Sequence, residues 1–182
     1  MYEKIIKEIK KLLSEKEGPV YVAIDGRCAS GKTTLAKRIA SELDCNVFRC
    51  DDYFLRPEQR SAERYEKAGE NIDYERFNRE VSENLKKGIP FEVRRFDCHS
   101  MELCDPVKVV PKKLNIVEGT YSFNGKIDIP YDIVFLLWVD EELQKERIIA
   151  RSGVETYKVF QEKWIPLEEK YFESRGFFKN VR

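Results

Sequence analysis

The chain has 182 residues, enough for one domain with a substantial core and too few for two of ordinary size. Hydrophobic residues make up 42% and charged residues 36%, the balance of a soluble globular protein, and no apolar run approaches the length of about 18 residues that spans a membrane. Lys plus Arg equals Asp plus Glu at 33 each, so no net field draws the chain to nucleic acid or to an acidic membrane surface.

The predicted elements run as follows. Residues 1–17 form a leading amphipathic helix, with Ile5, Ile6, Ile9, Leu12 and Leu13 on one stripe and Gly18-Pro19 as its stop. Val20-Tyr21-Val22-Ala23-Ile24 reads as a buried strand. It feeds Gly26-Arg27-Cys28-Ala29-Ser30-Gly31-Lys32-Thr33-Thr34, and Thr33 opens a helix with Leu35, Ile39 and Leu43 every four positions. Asn46–Cys50 is a second strand that runs into Asp51-Asp52. From Tyr53 to Ile72 the chain is polar without a period, a length of connection that predicts a binding loop or lid. A helix starts at Asp73 as N-cap, buries Phe77, Val81 and Leu85, and ends at Gly88 ahead of Pro90.

Phe91–Asp97 alternates as a strand, and Val107–Val110 and Leu114–Val117 are two more. The last of these leads into Glu118-Gly119 and contains Asn115, an unusual residue for a fully buried position. Ile133–Val139 is the most apolar run and predicts a central strand buried on both faces. Helices follow over Glu141–Arg151 and about Thr156–Phe172, the second carrying Tyr157, Phe160, Trp164, Leu167 and Tyr171 on one side. Pro166 should bend or split it. Strands alternating with helices give a single α/β domain over 1–182 with a mostly parallel sheet. Five cysteines without C-x-x-C spacing indicate reduced thiols and a cytoplasmic setting.

The loop from Gly26 to Thr33 matches the phosphate-binding pattern G-x-x-x-x-G-K-[ST] at every fixed position. Its glycines permit positive φ and close backbone approach, and its successive N–H groups form a nest for anions. Lys32 brings charge to the β- and γ-phosphates, and the Thr33 hydroxyl is suited to Mg²⁺. The candidate nucleotide-binding residues are therefore Gly26, Ala29, Ser30, Gly31, Lys32, Thr33 and Thr34. Ligands of open parallel sheets sit beyond the carboxyl ends of the strands, where Asp51, Asp52 and Glu118 fall. Adjacent side chains point opposite ways, so one aspartate faces the site, and Asp51 is preferred. Arg147 and Arg151 lie four apart on one helix and repel each other until an anion arrives.

With the loop, Cys50-Asp51-Asp52-Tyr53-Phe54, Asn71-Ile72-Asp73, Phe96-Asp97 before His99-Ser100, Ile116-Val117-Glu118-Gly119, and Val139-Asp140 leading to Arg147 and Arg151, the chain resembles the uridine kinase and phosphoribulokinase group of P-loop kinases. That resemblance implies a three-layer α/β/α fold and the cofactors ATP and Mg²⁺. It implies Asp51 as catalytic base and metal neighbour, Glu118 with Thr33 at the metal, and Asp73 on substrate hydroxyls. Lys32, Arg147 and Arg151 would stabilise the transferring group, with His99 near the substrate, while Tyr53, Phe54 and Phe96 are candidates to stack on a flat substrate. After Arg151 the chain turns at once to Ser152-Gly153, which implies a reduced lid.

The expected partner is a small molecule with a hydroxyl acceptor, a nucleoside or a ribose- or pantothenate-like metabolite. Nucleic acid and membrane are not expected, and a homo-oligomer is left open. The competing reading is an ATPase module in which Asp140 and Glu141, after the apolar run, activate water. A GTP switch lacks its Asn-Lys-x-Asp and Asp-x-x-Gly signatures.

Overall fold

The computed structural model describes residues 1–177. Helix α1 (Tyr2–Glu15) buries Ile5, Ile6 and Ile9. Strand β1 (Val20–Gly26) is buried along its whole length, and α2 (Lys32–Glu42) starts one residue earlier than the sequence suggested, capped by Gly31 in the left-handed region. Strand β2 (Cys45–Arg49) ends before Cys50, because Cys50–Tyr53 winds into a tight 3₁₀ turn. The connection that follows holds the short helix α3 (Ala62–Glu66). Helices α4 (Tyr74–Phe77) and α5 (Glu83–Lys87) flank a π turn over Asn78–Ser82, and Phe77, Val81 and Leu85 are all buried. Gly88 closes this run in the left-handed conformation, as its position predicted.

The segment read as one strand over Phe91–Asp97 divides into β3 (Phe91–Val93) and β4 (Phe96–Asp97) at Arg94-Arg95. Strand β4 pairs antiparallel with β5 (Glu102–Leu103), and β3 with β6 (Val107–Val109). Among the described residues neither ribbon joins the main sheet. That sheet is completed by β7 (Leu114–Glu118) and β8 (Ile133–Leu137), has four parallel strands, and runs β2-β7-β1-β8. Helix α6 (Glu141–Ser152) is followed by α7 (Val154–Val159), a π turn over Phe160–Trp164, and α8 (Ile165–Ser174). The expected break therefore lies just ahead of Pro166, which has no N–H to donate to the preceding turn.

The strand expected at the centre of the sheet is at its edge: among the described residues β8 pairs with β1 alone. Its apolar residues do pack on both faces, Ile133 and Phe135 on one and Leu136 on the other. An apolar run reports the layers above and below a strand and nothing about its lateral neighbours. The interior positions belong to β7 and β1, and β7 is fully buried despite Asn115. That amide is satisfied, donating to Lys112 O at 2.9 Å and accepting from Asn46 Nδ2 at 3.2 Å.

Two apolar clusters cover the two faces. One joins α1 and α2 to Val20, Val22, Ile24, Leu114 and Ile116; the other joins α4, α5 and α8 to Tyr21, Phe48 and Val117. The result is a three-layer α/β/α fold. Its parallel registers place Glu118 beside Ile24 on one side and beside Arg49 on the other, which gathers strand ends and the phosphate loop at one edge.

Candidate active site

At that edge lies a cavity of about 770 Å³, within the usual range for small-molecule sites. Cys28, Ala29, Gly31, Lys32, Thr33 and Thr34 of the phosphate loop line it, with Asp51, Glu118, Arg147 and Arg151 on the surrounding walls. Thus the loop, the carboxylates and the paired arginines, more than 100 positions apart at the extremes of sequence, meet in one space.

Within the loop the two fixed glycines do different work. Gly31, at φ 98°, has open space where a Cβ would stand, as expected for a surface that approaches a ligand. Gly26, at φ 137°, is buried, and a Cβ there would lie 1.9 Å from Leu137 O. It is glycine because β8 passes against it, not because phosphate does, and it is absent from the cavity wall. Ser30 also lies off the wall, and its buried Oγ has no hydrogen-bond partner among the described residues. Lys32 Nζ donates to Gly26 O and Arg27 O, both at 2.8 Å, so the ammonium is held across the loop.

The Thr33 hydroxyl donates to Glu118 Oε1 at 2.9 Å. Burial pushes the Glu118 carboxyl above the usual carboxylate range, while the Thr33 hydroxyl, Lys32 and Arg49 oppose it. A hydroxyl and one buried carboxylate are hard oxygen donors of the kind Mg²⁺ takes alongside phosphate oxygens. Among the described residues no cluster of three or more His, Cys, Asp or Glu side chains could hold a metal without such help.

Asp51 sits in the turn after β2, and β7 lies between that strand and the loop-bearing β1. Its side chain is 54% exposed and lines the cavity, whereas Asp52 does not. Arg49 lies 3.7 Å from Asp51 Oδ2, 3.9 Å from Asp52 Oδ1 and 3.4 Å from Glu118 Oε1, a central cation that keeps three acids together. Arg147 Nη1 donates to Ala29 O at 3.0 Å, and Arg151 Nη2 lies 3.7 Å from Cys28 Sγ, so both already rest on the loop.

Four expected substrate residues are placed elsewhere. Tyr53 is 3% exposed, edge-on to the Phe77 ring at 4.8 Å and under the Arg76 guanidinium at 4.1 Å. Phe96 is buried in the β4–β5 ribbon. Asp73 caps α4 by accepting Arg76 N at 3.0 Å, with Arg76 and Arg56 at 3.6 and 3.7 Å from Oδ2. His99 is exposed beside the site and off its wall. Aromatic residues near strands go to the core whenever it has room for them, and an N-cap spends its carboxylate on its own helix. Of the competing pair, Asp140 caps α6 and Glu141 is 88% exposed; neither lines the cavity.

Several wall residues carried little signal in the sequence. Asn71, Thr120, Tyr121, Arg60, Lys163 and Trp164 all line the cavity. Asp25, ending an otherwise apolar strand, accepts from the backbone N–H groups of Gly26, Tyr121 and Phe123 and from the Tyr171 hydroxyl at 2.6, 3.2, 2.9 and 2.7 Å. Glu168, four residues after Trp164, stands on the apolar side of the last helix and reaches the loop. An acid interrupting a stripe at helical spacing was the readable clue.

No family model matches the chain, and no curated protein does. Among solved structures it is similar to that of a possible uridine kinase from Bacillus stearothermophilus, with a TM-score of 0.72 and 20% identity over 98% of this chain and 93% of that one. The likeness shows a shared fold, the α/β architecture with its central parallel sheet.

Proposed function

We propose that the protein is an ATP-dependent small-molecule kinase that moves the γ-phosphoryl group to a hydroxyl of a nucleoside or related metabolite. The observation that carries this reading is the exposed Asp51 carboxylate on the same cavity wall as Lys32, Thr33, Glu118, Arg147 and Arg151. Phosphoryl transfer asks chiefly for positioning and charge stabilisation, and a carboxylate near the acceptor is needed to take its proton. Asp51 does that, and Arg49 orients it. The loop N–H groups and Lys32 hold the phosphates, while Arg147 and Arg151 leave their loop contacts for the moving group. Thr33 and Glu118 would hold Mg²⁺, which supplies neutralisation of phosphate charge when bound.

Water-activating chemistry through Asp140 and Glu141 is disfavoured, since neither reaches the cavity. The test is a panel of nucleosides and small alcohols with ATP, followed by acceptor-dependent ADP release. Asp51→Asn should lower that release by about 10³-fold or more while ATP affinity stays within about twofold. ADP release that no acceptor accelerates, or that Asp51→Asn leaves intact, would sink the reading.

A further inference from the structure

Nothing in the proposed transfer uses Glu168, yet its carboxylate is 5% exposed, lines the cavity, and is lodged against the phosphate loop. Oε2 accepts the Cys28 N–H at 3.0 Å, and Oε1 lies 3.5 Å from Thr120 Oγ1, whose shorter bond at 2.9 Å goes to Gly26 O. The same helix sends Glu169 to the Arg27 guanidinium at 2.7 Å and the Tyr171 hydroxyl to Asp25 at 2.7 Å. Helix α8 thus clasps the first half of the loop, and Glu168 is the clasp residue that opens onto the cavity. In such loops the backbone N–H groups cradle the α- and β-phosphates and the lysine reaches the β- and γ-phosphates. Lys32 Nζ and Thr120 Oγ1 both donate to Gly26 O, and Thr120 Oγ1 lies 3.5 Å from Glu168 Oε1, so the carboxylate stands beside the lysine that reaches the γ-phosphate.

We propose that Glu168 is a positioning residue that sets the site's preference between nucleoside triphosphate and diphosphate. Beside Lys32, the carboxylate must be displaced or neutralised when a γ-phosphate reaches that lysine, a charge the diphosphate does not bring. The inference rests on the loop's being a nucleotide site, as proposed above. Around the carboxylate stand Lys32 of α2, Asp25 of β1, Cys28 of the loop, Tyr121 after β7, Glu169 of α8, and Arg151 of α6 behind the Cys28 thiol. Burial pushes Glu168 up to about 7, with Lys32 opposing. A γ-phosphate adds negative charge and draws the Lys32 ammonium away, so the bound complex holds the proton more tightly than the free protein. Triphosphate binding then takes up a proton, and its affinity falls as pH rises through about 7.

The experiment is calorimetric titration of ATP and of ADP, with Mg²⁺, into the full chain and its Glu168→Gln and Glu168→Ala variants. It is run from about pH 6 to 8.5 in two buffers of different ionisation enthalpy. Gln keeps an acceptor for the Cys28 N–H, and melting curves confirm that each variant folds. At about pH 8, Glu168→Gln should bind ATP about tenfold more tightly with ADP unchanged within about twofold, and proton uptake on ATP binding should vanish. Equal factors for ATP and ADP, a loss of both, or proton uptake that survives in Glu168→Gln would overturn the inference and leave the kinase reading standing. If the unmodified chain binds neither nucleotide, both fall together.

Discussion

Asp25 shows how much one side chain can organise. Its carboxylate ties the end of β1 to the turn after β7 and to α8, by three backbone N–H groups and one phenol. Burial pushes its carboxyl up, while the Tyr171 hydroxyl and the N–H groups of Phe123 and Gly26 pull it back. Asp25→Ala would strand three buried donors and one part-buried one, and a cost of about 3 kcal/mol or more in urea-induced unfolding is expected. Its neighbour offers a cleaner test. Gly26→Ala adds a Cβ 1.9 Å from Leu137 O at φ 137°, so the strand pair must shift, and a loss of about 3 kcal/mol is expected by the same measurement. Gly31→Ala meets nothing in the free chain, although its φ of 98° still imposes strain. The pattern marks both positions alike; the identity of the obstructing atom separates them.

Among the elements, the turn carrying Asp51 depends on the helix that follows it. Arg76, 2% exposed, donates to Asp52 O at 2.8 Å and to Arg94 O at 2.5 Å while covering the Tyr53 ring. Arg76→Met would remove the donor from both carbonyls and leave the buried Asp73 carboxylate to Arg56 alone, at a cost of about 3 kcal/mol. Because the turn also presents Asp51, kcat/KM for the acceptor should fall about tenfold or more, with ATP affinity within about twofold. The last helix obeys similar logic. Its π turn, Phe160–Trp164, puts Phe160, Lys163 and Trp164 on the cavity wall just before Glu168 and Tyr171 engage the loop. Pro166 announced an interruption, whereas the form it took depended on what the helix packs against.

For the molecule as a whole, layering decides which charges are trapped. Glu168 is buried between α8 and the loop, and its acidity is shifted from 4.5 to about 7. A group whose folded value is raised contributes stability that is full below its unfolded value and lost as pH rises through the folded one. Across about pH 4.5 to 7, the unmodified chain should therefore lose about 3 kcal/mol relative to Glu168→Gln, read from urea midpoints at each pH. A constant difference across that window would show that the carboxylate is not titrating inside the fold. No described helix is long and apolar enough to cross a membrane.

The sequence alone determined the alternation of strands and helices, the phosphate loop, the N-cap at Asp73 and the stop at Gly88. These rest on local physics: side-chain periodicity, capping hydrogen bonds and glycine's φ. Tertiary structure decided that β8 lies at the edge with β7 and β1 inside, that Tyr53 and Phe96 serve the core, and that Glu168 lodges against the loop across 140 positions of chain. Lateral strand order and long-range burial are settled by which surfaces compete for the same space, and no window of neighbouring residues contains that competition.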